Sequence, residues 1–175
     1  LGIVFMEVER FDCIDKLMPQ IEICAFFCVR STTPVGVKTV TKIYTFCERD
    51  GQSPFLSLFH KLDRKLQQKI LKGLRCMVLY PSYRTQPHVK HFTIERYSGL
   101  YEYRERIRVL FRVIYMVDSK QNIILLAPFI KRRDKDTQYA LELAIQRAVI
   151  IRQYPECRVE LDLGGETPVL IHRDI

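Results

Sequence analysis

The sequence predicts an α+β fold, and three observations carry that reading. Apolar residues recur at three- and four-residue steps after Pro54 and again after Thr137, the period of an amphipathic helix. Around these stretches lie short runs rich in Val, Ile, Tyr and Phe, bounded by turn residues, as strands require. The order is an N-terminal strand, a helix or helical hairpin, a three- to four-stranded antiparallel sheet, and a C-terminal helix. Strands that follow one another without intervening helices pair antiparallel, and helices then cover one face of the sheet.

Residues 1–37 read as a leader. It holds a helix-like patch at Phe11–Leu17, a break at Pro19, an apolar run from Ile21 to Val29 and a turn-rich linker from Ser31 to Gly36. Val37–Cys47 is a strand by its β-branched and aromatic content, and Glu48–Gln52 is a turn. Ser53 offers an N-cap, with Pro54 at the first helical position where a missing N–H does no harm. Phe55, Leu58, Phe59, Leu62, Leu66, Ile70, Leu71, Leu74 and Met77 then form the core-facing stripe of one helix, or of two joined near Asp63. Lys61, Arg64, Lys65, Lys69 and Lys72 fall on the other face.

Pro81–Pro87 is a loop, and His88–Ile94 is a short extended stretch. After Ser98-Gly99 come two strands, Leu100–Ile107 and Leu110–Val117, then the turn Asp118–Asn122 and an apolar strand, Ile123–Ile130. Pro128 places the end of that last strand at an edge or a bulge, since proline cannot donate to a ladder. Thr137–Ile151 is the final helix. The domain is thus expected over 38–151, with 152–175 as a C-terminal tail.

The chain has 175 residues and a formal charge of +8, with 47% hydrophobic residues, a balance that excludes a disordered or low-complexity protein. No apolar stretch approaches the roughly 20 residues of a membrane-spanning helix, so no membrane is expected. Glu7, Glu9 and Asp12 make the amino end unlike a secretory leader, and the expected location is cytoplasmic. The chain opens on Leu1, with Met6 as an alternative start. Six cysteines read as reduced thiols; Cys24 and Cys28 form a CxxxC with no second ligand pair, so neither a metal nor a cofactor is expected.

The cations cluster. Lys90, Arg96, Arg104, Arg106, Arg108 and Arg112 lie within one short region against Glu95, Glu102 and Glu105, and Lys131, Arg132, Arg133 and Lys135 follow. Cations gathered on strands suit a polyanion, whose phosphates they would neutralise.

Four fragments in order, IYTFCERDGQSPFLSLFHKL (43–62), GLYEYR (99–104), FRVIY (111–115) and ILLAPFIKRR (124–133), resemble the RelE/HigB superfamily of toxin–antitoxin toxins. The likeness is to the phage-related HigB-like branch, with its "G-x-SP" helix start, "LYELR", "yRvlY" and "LLhgFxKK", and covers about 38–149. The resemblance implies a RelE-like fold and a metal-independent endoribonuclease acting on mRNA, commonly on the ribosome. In that chemistry the ribose 2′-OH attacks the adjacent phosphate and the 5′-oxygen leaves. It calls for a proton acceptor and for cations to hold the phosphorane charge.

By the same resemblance, Arg104 and Arg112 match the two arginines placed on adjacent strands, where planar forks suit a phosphate. The alternative is that each pairs with Glu102 or Glu105 on the sheet. Lys131 and Arg132 match the "KK", with Lys131 a candidate to orient substrate or donate a proton. His91, with His88 beside it, and Glu102 are the candidate proton acceptors. Lys90, Arg106, Arg108, Arg132, Arg133 and Lys135 are the candidate RNA-backbone contacts. Tyr101 and Tyr103 alternate with Glu102 and point to the opposite face, into the core.

The resemblance also implies a cognate antitoxin, often a helix-turn-helix protein, and mRNA and ribosome as partners. Two departures stand out. No Gly, Asn or Pro separates Arg104 from Leu110, so the hairpin must be tight if the arginines are to face one another. Ala127-Pro128 stands where His-Gly is commoner. A ParE-like topoisomerase inhibitor, or a relative that no longer cleaves, is the alternative on the same fold.

Overall fold

The computed structural model describes residues 41–171. The leader at 1–37, with Cys13, Cys24 and Cys28, lies outside the described residues. The elements in chain order are β1 (Ile43–Phe46), α1 (Pro54–Phe59), α2 (Arg64–Leu79), β2 (Val89–His91), β3 (Leu100–Arg106), β4 (Leu110–Val117), β5 (Ile123–Lys131), α3 (Asp134–Gln153), β6 (Arg158–Asp162) and β7 (Val169–Ile171). The class is α+β, but the sheet is wider than the three to four strands expected. Seven strands run in the order β2-β3-β4-β5-β1-β6-β7. All neighbours are antiparallel except β1 and β5, which are parallel.

Two differences from the sequence reading follow from pairing. The segment after 152 supplies β6 and β7, which extend the sheet beyond β1. The helices also lie on both faces. Tyr103, Phe111, Val113 and Tyr115 pack with Phe55, Phe59, Leu66, Ile70 and Leu74 of α1 and α2. Residues of opposite parity, Leu100, Ile114, Met116 and Ile124, pack with Ala140, Leu141, Ala144 and Ile145 of α3. Alternation along each strand thus feeds two cores from one sheet.

Local chemistry sets the helix boundaries. Ser53 caps α1 by accepting from the Leu56 N–H at 3.4 Å, with Pro54 at the first position. The long apolar stripe is two helices, because Asp63 accepts from the Leu66 N–H at 3.1 Å and starts α2 afresh. Gly73 lets α2 close on β3: a Cβ there would meet the Tyr103 hydroxyl oxygen at 1.9 Å. α3 begins three residues before the expected Thr137. The Asp136 carboxylate accepts from the N–H groups of Arg132 and Arg133 at 2.8 and 2.7 Å, and these contacts hold its pKa below the usual carboxylate value.

Pro128 falls where the sequence placed it. β1 pairs with β5 only from Ile123 to Leu125, so among the described residues no strand pairs with that side of β5 beyond Leu125. A bulge lies just before, where the pairing with β4 shifts between Ile114–Ala127 and Tyr115–Leu125 and leaves Leu126 extra. The Leu126 carbonyl is taken at 2.9 Å by Arg147 of α3, itself buried to 9% exposure.

Candidate functional site

The β3–β4 hairpin brings the two family-matched arginines together. Its loop is Ile107–Val109, three residues long between the paired Arg106 and Leu110, and no residue in it has a positive φ. That tight turn sets Arg104 directly opposite Arg112. On β5, Phe129 lies opposite Arg112 and Lys131 opposite Leu110. Three same-face rows result: Arg106, Leu110 and Lys131 at the hairpin end, then Arg104, Arg112 and Phe129, then Glu102, Ile114 and Ala127. Lys90 of β2 joins the third row opposite Glu102. This is the face that α3 covers farther along, where Leu100 and Met116 take over.

Two guanidiniums opposite each other on neighbouring strands repel. Glu102 lies between them, 2% exposed. Its Oε2 accepts from Arg104 Nε at 2.6 Å, while Oε1 faces Arg112 Nε at 4.0 Å. Oε1 and that Nε are both buried with no hydrogen-bond partner. Arg112 is further held by its terminal nitrogen, which donates to the carbonyls of Phe111 at 3.0 Å and Glu105 at 3.3 Å. Burial lowers the Arg112 pKa and the Glu102 charge opposes that fall. The Arg104 side chain keeps 30% exposure and that of Arg112 13%. The contact is thus the carboxylate pairing that the sequence left as the alternative for Arg104, yet it uses only the inner Nε of that guanidinium.

The remaining candidates sort by position. Lys131 sits at the rim and pairs with Asp134 at 3.0 Å. Lys90 is exposed, its Nζ 5.4 Å from the centre of the Phe92 ring. Arg106 and Arg108 are exposed at the hairpin tip, and Arg132, Arg133 and Lys135 are exposed where β5 turns into α3. Arg133 approaches Asp136 at 3.7 Å.

The candidate proton acceptors are placed elsewhere. His91 lies opposite Tyr101 and edge-on to its ring at 4.7 Å, on the α2 side of the sheet. Val89 fixes this parity by inserting into the α1/α2 core, which sends Lys90 to the arginine face and His91 away from it. His88 stacks on Tyr83 at 4.1 Å and shares a hydrogen bond with its hydroxyl at 3.1 Å. Glu102 is on the right face, but its carboxylate is sealed beneath the arginines.

Glu105 is also buried on the α2 side, accepting from Tyr103 at 3.0 Å and paired with Lys69 at 3.0 Å. Tyr103 lies in that core, as its alternation with Glu102 requires. Phe129 is the site member that the sequence reading did not single out; its signal is the two-residue spacing from Lys131 on one strand face.

The arrangement presents cations from three strands on one face, with Glu102 buried beneath the arginine pair and Asp134 beside Lys131. Such a patch attracts a phosphodiester and stabilises charge that grows on its oxygens. Among the described residues, no three His, Cys, Asp or Glu side chains gather as a metal ion would need. Two shallow clefts between α2 and the segment around Glu166 contain none of these arginines. No helix among the described residues is long and apolar enough to cross a membrane.

A protein-family model described as "Phage derived protein Gp49-like (DUF891)" matches residues 57–149, which is more than half of the chain and includes every strand of the arginine face. No curated protein matches.

Proposed function

Because the chain belongs to the phage-derived Gp49-like family, which is related to the RelE/HigB toxin group, we propose that it is the toxin of a toxin–antitoxin pair and cleaves mRNA without a metal. The family is associated with toxin-like phage proteins, and an antitoxin partner fits that context. The observation that carries the reading is the register: Arg104 and Arg112 stand directly opposite one another, with Lys131 two residues beyond Phe129 on the same face.

In the proposed reaction the ribose 2′-oxygen bonds to the adjacent phosphorus and loses its proton. The bond from phosphorus to the 5′-oxygen breaks, and that oxygen takes up a proton. The products are a 2′,3′-cyclic phosphate and a free 5′-hydroxyl. Arg104 and Arg112 hold the two non-bridging oxygens as their charge grows, and this electrostatic term is the chain's main contribution. Lys131, Arg106 and Arg108 hold flanking phosphates at the rim. The buried position of Glu102 and the far face of His91 assign neither as base, so the 2′-OH proton leaves to solvent or to a group the ribosome supplies.

Purified protein mixed with mRNA, with and without ribosomes, tests the reading. The expected result is cleavage ending in cyclic phosphate, lost in the Arg104→Ala, Arg112→Ala double variant. Intact mRNA in both mixtures overturns it. The Glu102–Arg104 ion pair favours a second reading, a relative whose site is neutralised and no longer cleaves. Growth arrest with stable mRNA and altered DNA supercoiling then marks a ParE-like activity instead.

A further inference from the structure

We propose that Glu102 is the positioning residue of this site: an interior carboxylate that holds the two guanidiniums by their inner edges and sets their outward nitrogens on the substrate. The inference rests on the endoribonuclease reading. Directly opposed residues on antiparallel strands bring their side chains within about 5.5 Å at the Cβ atoms, and like charges there push apart. Arg104 and Arg112 occupy such a pair. Glu102 lies one residue pair inward on the same face, with Oε2 at 2.6 Å from Arg104 Nε and Oε1 at 4.0 Å from Arg112 Nε.

Both approaches use Nε. The terminal nitrogens of Arg104 donate to no protein atom among the described residues, so the part of the fork that grips a phosphate stays available. Glu102 is 2% exposed, so RNA does not reach it and it acts only through the arginines. Its second oxygen and Arg112 Nε, both buried and unpartnered, leave an ion pair that is open by about 1 Å relative to a hydrogen bond.

The role has a signature. Glu102→Gln keeps the shape and removes the charge, with two opposite effects. The site becomes more positive, so RNA binds more tightly. The guanidiniums lose their anchor, so turnover falls, by about 100-fold if displacement reaches 1 Å. A merely structural role lowers the folded fraction, which reduces kcat and leaves affinity unchanged.

The experiment uses the full chain. Cleavage of mRNA gives kcat, and binding of a fully 2′-O-methylated single-stranded RNA gives Kd. The proposal expects kcat to fall about 100-fold and Kd to fall for Glu102→Gln, and kcat alone to fall for Glu102→Asp, which retracts the charge by one methylene. A folded Glu102→Gln protein with unchanged or weaker RNA binding overturns it. Wild-type protein is read in parallel through its arginine Nε–H resonances. Protection of Arg104 Nε–H from exchange, retained on adding the methylated RNA, supports the proposal, and its loss on binding overturns it even where a variant fails to fold. Wild-type protein that cleaves no mRNA fails the endoribonuclease reading itself. Cleavage with an unperturbed Glu102→Gln fails the positioning role alone.

Discussion

Replacing Arg104 by Met and Glu102 by Leu, singly and together, measures how much of the site's architecture is electrostatic. Arg104→Met keeps the aliphatic stem and removes the donor at 2.6 Å from Glu102 Oε2. The carboxylate, 2% exposed and with Oε1 already unpartnered, is then left without a hydrogen bond. Breaking a buried ion pair from one side costs roughly 3–5 kcal/mol. Arg104 retains 30% exposure, so solvent offsets part of that and about 2–3 kcal/mol is expected. Glu102→Leu strands two guanidiniums in turn, the more buried being Arg112, at a similar cost of about 2–3 kcal/mol. The double variant leaves two apolar side chains against each other and removes the Arg104–Glu102 penalty, while Arg112 still lacks its carboxylate, so a cost of about 2–3 kcal/mol remains against about 4–6 kcal/mol for the two single changes summed. The expected coupling energy is therefore about 2 kcal/mol, read from urea unfolding of all four proteins with a shared m-value. Additivity within about 0.5 kcal/mol refutes the reasoning, because it means the carboxylate and the guanidinium do not depend on one another.

Three further outcomes follow from the packing. Gly73→Ala sets a Cβ against the Tyr103 hydroxyl, which is fully buried and tied to Ile70 and Glu105; overpacking and the strained hydrogen bonds cost about 2–4 kcal/mol in urea unfolding, and Tyr103→Phe in the same chain recovers part of it. Arg147→Met removes the donor to the bulge carbonyl of Leu126 and should lower Tm by about 2–4 °C for each kcal/mol of an expected 1–3 kcal/mol. Burial pushes the Cys47 thiol up to about 11 against a hydrogen bond with Ser53. The folded thiol keeps its proton where the unfolded one loses it, so stability should decline as pH rises from about 9 to about 11, and Cys47→Ala should flatten that slope in urea unfolding at stepped pH.

The parts legible in the sequence were those set by nearest-neighbour chemistry. Ser53-Pro54, Asp118–Asn122 and the two-residue alternation of β3 and β4 each announce an element from a few residues, and the structure builds all of them. The width of the sheet was not legible. Arg158–Asp162 alternates charge with Val159 and Leu161 and becomes a strand only because β1 offers it a free edge, a contact more than a hundred residues away in sequence. The split of the helices between two faces was hidden for the same reason: each strand alternates two apolar sets, and neither says which helix will claim it. At the site, the family motif singled out Arg104 and Arg112, and Glu102 was offered as proton acceptor or ion-pair partner, but its burial was not legible. Burial of Glu102 depends on three rows of cross-strand neighbours. The parity of His91 was settled two residues earlier, by Val89 entering the core.

The same geometry explains why the charged residues do not simply dissolve the sheet. Arg106, Arg104, Arg112 and Lys131 come from three adjacent strands on one face, an arrangement that self-repulsion would splay. The chain counters it with an acid at each end of the patch. Glu102 draws the inner edges of the arginine pair together from below, and Asp134 at the first turn of α3 takes Lys131 at 3.0 Å from the rim. Asp136, in the same first turn, accepts from the N–H groups of Arg132 and Arg133 where the chain leaves β5, and two more cations stand past the edge of the patch. Glu102 fixes an Nε and Asp136 two backbone N–H groups, which leaves the terminal nitrogens of Arg104 unspent, whereas Asp134 engages the ammonium of Lys131 itself. A surface assembled only for solubility has no need of that economy, since exposed lysines alone would provide it. Cations fixed from beneath and left open above are what a site for a phosphodiester requires.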